Sequence, residues 1–249
     1  MTSSLLDRFG MWASMSRKGN GYEEGQSKNR REFNMGAIRQ AYYNLFSRIY
    51  DPIIRLHLRD REGSLREFIT ARTRVSEGDR ALDLCTGTGA VAVELAGRVG
   101  KGGLVVGLDF SSGMLEKAKR KSVNLNLSQV CFVQANAARL PFKDSAFRGI
   151  TCSHAFYELK GFEREMAVEE VARILEKGGR FCLMEHALPE KLPVRVLFYI
   201  RLFFLGAKDV KQFLRNEESI FGKRFKNIAK EMSPTGQSKL IYAEKGENR

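Results

Sequence analysis

The sequence predicts a doubly wound α/β sheet, and three observations carry that expectation. Arg80-Ala-Leu-Asp-Leu-Cys-Thr-Gly-Thr-Gly-Ala-Val-Ala-Val-Glu-Leu-Ala96 reads as a short buried strand, an acid, a glycine turn and the start of a helix. A second apolar run, Leu104-Val-Val-Gly-Leu-Asp109, ends in another acid about 20 residues beyond the turn. Further apolar runs then alternate with helical stretches, the pattern of parallel strands joined by crossover helices.

In chain order, Gly87 and Gly89 lack a Cβ, so the first turn can take dihedrals closed to other residues and let a ligand approach its backbone. The same letters fit a G-x-G-x-x-A dinucleotide pattern with Ala92 as the third small residue, so the turn by itself leaves the ligand open. Asp109 stands where a carboxylate accepts hydrogen bonds from two ribose hydroxyls. Ser111 and Ser112 can cap the next helix, which sets Phe110 and Met114 beside that carboxylate as apolar cover for a flat ring. Val130–Val133 is the third run and leads into Gln134–Phe142. Phe147–Cys152 is the fourth and leads into Ser153-His-Ala-Phe-Tyr-Glu-Leu159, and Arg180–His186 is the fifth. The tail from Phe225 reads as two strands around a Ser-Pro-Thr-Gly turn.

A chain of 249 residues suits one α/β unit with an appendage. Residues 1–36 are expected to be a flexible basic extension, 37–78 a helical cap or lid, and 79–249 the ligand-binding domain, with a substrate-wall insertion at about 188–222. Lys and Arg outnumber Asp and Glu by 15 to 10 over residues 1–80, 14 to 13 over 81–190, and 13 to 6 over 191–249. Basic flanks around a near-neutral domain suit peripheral contact with an anionic membrane or with nucleic acid. Leu192-Pro-Val-Arg-Val-Leu-Phe-Tyr-Ile-Arg-Leu-Phe-Phe-Leu205 is apolar but falls short of the roughly 20 residues that span a bilayer. It suits an isoprenoid or acyl chain, a membrane surface, or packing within the protein or a dimer. No apolar leader is evident, and Cys85, Cys131, Cys152 and Cys182 lack metal-site spacing, so reduced thiols, no metal and a cytoplasmic setting are expected.

Leu82-Asp-Leu-Cys-Thr-Gly-Thr-Gly89, Gly107-Leu-Asp-Phe-Ser111 with Met114-Leu115, Leu140-Pro-Phe142 and Arg173-Ile-Leu-Glu-Lys-Gly-Gly-Arg-Phe181 together resemble the class I S-adenosylmethionine (SAM) dependent methyltransferases. Within them the chain is similar to the subgroup of ubiquinone/menaquinone biosynthesis C-methyltransferases and phospholipid N-methyltransferases, over roughly Gln40 to Lys245. The resemblance implies a Rossmann-like sheet of seven strands with an antiparallel last strand, and SAM as cofactor. It also implies that Asp83 lies near the methionine amino end, Gly87 and Gly89 lie under the ligand, Asp109 holds the ribose and Met114 covers the adenine. Asn136 stands where many relatives carry an Asp that bonds the adenine amino group, and its amide oxygen can still accept that bond. Thr86, Phe110, Ala137 and Ser153 complete the implied cofactor set. Tyr50, in the Tyr-Asp pair before Pro52, is the implied cofactor lid, although its spacing from Tyr43 equally suits a core helix face.

Methyl transfer needs the nucleophile held in line, water excluded and, where required, a proton removed. Strand ends near the topological switch face the crevice, which nominates Ser153, His154, Tyr157 and Glu158. His154 suits a general base toward a phenol, Tyr157 a bond to the acceptor oxygen, and Glu158 the charge of a cationic amine. Glu185 and His186 end the fifth run at the same mouth, so His186 rivals His154 as the base. The expected activity is methylation of a small hydrophobic or lipid-linked acceptor, with quinone-type ring C-methylation ahead of phospholipid amine N-methylation. A nicotinamide-dependent oxidoreductase would share the glycine turn, but no Tyr-x-x-x-Lys pair follows it. A SAM-binding or membrane-associating module without catalysis stays open, as does the oligomeric state. Nucleic acid is disfavoured as a partner by the lack of an Asn/Asp-Pro-Pro-Tyr type motif.

Overall fold

A computed structural model describes residues 5–7, 9–12, 63–159, 161–187, 213, 217–222 and 224–246. Among these residues seven strands form one sheet: β1 Arg80–Leu84, β2 Leu104–Asp109, β3 Val130–Gln134, β4 Phe147–Ser153, β5 Leu175–His186, β6 Phe225–Met232 and β7 Ser238–Lys245. Their spatial order is β3-β2-β1-β4-β5-β7-β6. Helices α1 Ser64–Ala71, α2 Ala90–Val99, α3 Ser112–Asn124 and α4 Gly161–Ile174 cover the two faces.

β1 to β5 pair in parallel, and β7 runs antiparallel to both of its neighbours, β5 and β6. The reversal has a local cause. The turn between β6 and β7 closes with Gly236 at φ 68° and its N–H on Ser233 O at 2.9 Å, and so tight a link returns the chain antiparallel. Central strands are covered on both faces, so β2 is buried at every position and reads as a continuous apolar run.

The alternation along each strand splits the core. Leu82, Leu84, Val106, Ile150, Phe181 and Leu183 face α4, while Ala81, Val105, Cys182 and Met184 face α1, α2 and α3. Polar Asp83 and Thr151 alternate with those residues on β1 and β4. From β1 the chain passes through α2 to β2 on one side, whereas β4 lies on the other. The topological switch therefore falls between β1 and β4, and a crevice is expected outside their carboxyl ends.

One expectation needs correction. The start of the chain is not a loose extension throughout: Leu6 and Met11 are buried, and Trp12 stacks on Phe142 with centroids 6.3 Å apart. Lys143 N–H also donates to Met11 O at 3.0 Å. Burying apolar side chains of this size contributes about 1.5–3 kcal/mol each, enough to offset the ordering of a short segment. The rest of 1–36 lies outside the described residues, as do 37–62 of the expected cap and 188–212 of the expected insertion. The helical part of the cap that is described, α1, buries Leu65, Phe68 and Ile69 in the layer over the sheet.

Candidate active site

The first acid, Asp83, is the penultimate residue of β1 and almost wholly buried, at 1% exposure. Thr86 Oγ1 donates to one of its oxygens at 2.6 Å and Thr151 Oγ1 to the other at 2.8 Å. Burial raises its pKa from 3.8 to about 6 despite those two bonds, and nearby Asp109 adds to the rise. A positively charged ligand group would relieve this site.

The turn itself is built from left-handed residues. Cys85, Gly87 and Gly89 have φ of 55°, 54° and 77°, and Thr86 N–H reaches across to Leu108 O of β2 at 2.9 Å. A Cβ on Gly87 would meet no heavy atom within 4 Å, so that side of the turn is open to a ligand, whereas one on Gly89 would lie 2.8 Å from Ala118 Cβ. The first glycine supplies a clear approach and the second a close helix contact.

Asp109 joins this turn to the end of β2. Its carboxylate accepts Gly87 N–H at 2.8 Å and Ser111 N–H at 2.9 Å, one on each oxygen. A carboxylate has about four lone-pair sites, so each oxygen retains capacity for a further donor, the requirement for two ribose hydroxyls. Burial raises its pKa, partly offset by the Ser111 and Gly87 amides. Ser111 caps α3 by accepting Met114 N–H at 3.3 Å, which fixes Met114 one turn from Asp109. Phe110 is half-buried and its carbonyl accepts Gln134 Nε2–H at 2.9 Å. Asn136 is exposed and uses Oδ1 to accept Ala138 N–H at 2.8 Å, with Ala137 buried between them. The open turn, the remaining acceptor capacity on Asp109 and the relief that a cation would give Asp83 all fit SAM.

At the end of β4, His154 adopts φ 53° and its N–H donates to Met184 O at 2.7 Å. Its Nδ1 lies 2.9 Å from Ser153 Oγ and its Nε2 2.8 Å from Ser238 Oγ, with the ring tautomer deciding which atom of each pair donates. His186 is buried with its ring centroid 4.5 Å from that of His154 and 5.8 Å from that of Tyr157. Tyr157 is buried and Glu158 half-buried in the short 3-10 turn Phe156–Glu158. Thus Asp83, Thr86, Gly87 and Asp109 share one hydrogen-bond network, and His154, Tyr157 and His186 form an aromatic cluster. Tyr50 lies outside the described residues.

Sequence reading missed Thr151, Ser238 and Lys239, and gave Glu185 no role. Thr151 meets Asp83 through the β1–β4 pairing across 68 positions, and Ser238 of β7 meets His154 across 84 positions, with β5 between their strands, so no local pattern announces them. A polar residue within the apolar run of β4 was the one available signal for Thr151.

Comparison with known proteins agrees with the fold. The chain matches the ubiE/COQ5 methyltransferase family over residues 40–219. It is 32% identical over 203 residues to a demethylmenaquinone methyltransferase of Oceanobacillus iheyensis, covering 78% of this chain and 84% of that one. Identity to a demethylmenaquinone methyltransferase of Bacillus cereus is 36% over 152 residues, 58% of this chain and 63% of the relative. Among solved structures, a SAM-dependent methyltransferase from Aquifex aeolicus superposes with a TM-score of 0.57 at 20% identity, over 75% of this chain and 95% of that one. A Haemonchus contortus phospholethanolamine N-methyltransferase 2 in complex with phosphomonomethylethanolamine and S-adenosylhomocysteine gives 0.57 at 16% identity, over 74% of this chain and 52% of that one. The chain therefore belongs to the ubiE/COQ5 methyltransferase family and is a class I SAM-dependent methyltransferase.

Proposed function

We propose that this enzyme methylates a ring carbon of a hydroxylated, quinone-type acceptor bearing an apolar tail. The observation that carries the reading is the Ser153–His154–Ser238 chain beside His186, a proton-handling group at the β4 exit, next to the carboxylate-lined cofactor turn. The demethylmenaquinone methyltransferase names of the relatives favour the same acceptor class.

SAM supplies an electrophilic methyl on a sulfonium. In this reading Asp83 faces the methionine ammonium across the Thr86 side of the turn, and Asp109 binds the ribose. Phe110 and Met114 flank the adenine, Asn136 and Ala137 edge it, and Tyr50 covers the ligand. Ser153 would relay the proton released from the methylated ring carbon to His154, with His186 as the alternative receiver. Tyr157 orients the acceptor oxygen, and Glu158 favours positive charge that develops nearby. The basic flanks and the exposed Phe162 at the start of α4 support work at an anionic membrane face by a cytoplasmic enzyme, where a tailed acceptor would be found. Among the described residues no helix is long and apolar enough to cross a membrane.

The test supplies purified protein with labelled SAM and, separately, a reduced demethylated naphthoquinol, a demethylated benzoquinol and phosphatidylethanolamine vesicles. Label on a quinol ring carbon is expected. Label confined to the lipid amine would overturn the reading in favour of N-methylation.

A further inference from the structure

Ring C-methylation frees two protons in turn, one from the hydroxyl that activates the ring and one from the carbon that is methylated. The serine–histidine chain accounts for one. Glu185, the penultimate residue of β5, supplies a second candidate that no motif announced. It follows Met184, the register partner of Ser153, and so stands beside the β4 exit at the same edge of the sheet. Its side chain is 1% exposed. Oε1 accepts Tyr157 N–H at 3.1 Å, while Oε2 is buried with no hydrogen-bond partner. A carboxyl held by one oxygen and unsatisfied at the other is costly, and such groups persist where a ligand completes them.

We propose that Glu185 is the catalytic group that receives the proton of the acceptor's ring hydroxyl, an inference that rests on the ring-acceptor reading above. The hydroxyl O–H bond breaks, its proton passes to Oε2, and its electron pair stays on the ring oxygen and enriches the ring carbon. That carbon takes the methyl, and the S–CH3 bonding pair remains with sulfur. The ring C–H proton then leaves through Ser153 and His154 to water, and Glu185 returns its proton to the ring oxygen. One proton is released per turnover.

The surroundings raise the proton affinity of this carboxyl. Burial pushes the Glu185 carboxyl well above the usual carboxylate range; the Tyr157 amide offsets part of this, and Glu217 and Glu158 push further. Glu217, fully buried in the 3-10 turn Glu217–Ile220, ion-pairs with Lys239, the β7 register partner of Glu185. Arg164 of α4 donates to the carbonyls of Tyr157 and Leu159 on the turn that holds Oε1, and His186 adjoins on β5. Burial first, and then the two acids, set the proton affinity of Glu185 against the Tyr157 and Phe156 amides.

Glu185→Gln keeps the shape and the Tyr157 contact, so SAM affinity by calorimetry should stay within about threefold while kcat toward the quinol falls about 100-fold or more. The ascending limb of the wild-type kcat–pH profile should vanish in that variant, move to lower pH in Glu217→Gln, and return in part with Glu185→Asp. Independently of turnover, a nitrocatechol bound with S-adenosylhomocysteine should show its ionised absorption band below its free pKa in wild type but not in Glu185→Gln. Near-wild-type kcat in Glu185→Gln, an unmoved limb in Glu217→Gln, or an unchanged band would overturn the role. Wild-type protein that binds SAM but neither binds nor methylates any ring acceptor would overturn the acceptor reading, and this proposal with it.

Discussion

Ionising Asp83 costs free energy because the side chain lies inside the sheet, and the hydroxyls of Thr86 and Thr151 replace only part of the lost hydration. The rise from 3.8 to about 6 corresponds to about 3 kcal/mol. Because the folded value is the higher one, the fold carries no penalty below pH 3.8, acquires it between there and about pH 6, and keeps it above. Asp83→Asn without ligand should therefore be more stable than wild type at pH 8, by about 1–3 kcal/mol, and lose that advantage at pH 4. Denaturant titrations at the two pH values measure this, and an equal difference at both would rule the mechanism out. The same variant should bind SAM at least about tenfold more weakly at pH 8 if the carboxylate meets the ammonium. At this scale the two acids were legible because each follows a buried run at a fixed distance from a glycine turn. Their partners were not, since Thr151 becomes one only through the pairing of Asp83 with Thr151 in the β1–β4 register.

Strand-turn-helix elements carry their own constraints, and Gly89 concentrates them. It sits at φ 77° where α2 begins, and its missing Cβ would fall 2.8 Å from Ala118 Cβ of α3 and 3.3 Å from the Phe132 ring of β3. Gly89→Ala should cost about 1–2 kcal/mol for the left-handed backbone alone, with the contact adding to it. Adding Ala118→Gly should recover only the contact part, so thermal melts of the single and double variants separate the two contributions. Most elements were readable from period and punctuation. β5 was the exception: it begins at Leu175, before the expected Arg180, because Leu175 pairs with Phe147 across an irregularity in β4. Glu176-Lys177-Gly178-Gly179 has the composition of a turn, with Gly178 at φ 70°, and it bulges between the paired residues Leu175 and Arg180 without a register partner of its own on β4 or β7.

For the molecule as a whole, the charge of +13 lies mostly in the flanks of a domain whose centre is nearly neutral. If those flanks meet a bilayer, the protein should sediment with anionic vesicles, remain free of neutral ones, and be released as salt rises from about 0.05 to 0.5 M, because the Debye length shortens several-fold over that range. Salt-independent binding would mean that apolar contact dominates, and no sedimentation would remove the membrane from the reading. Whole-chain organisation was the least legible level. Composition alone could not show that Leu6, Met11 and Trp12 belong to the core, because the partners of Trp12 and Met11, Phe142 and Lys143, lie some 130 residues away.

The docked start of the chain has a practical corollary. Trp12 is the sole tryptophan, so intrinsic indole fluorescence comes from a single place, the stacking contact with Phe142. A red shift in emission would register release of the amino-terminal segment while the sheet is still intact, and the protein thereby contains its own optical gauge for that one event.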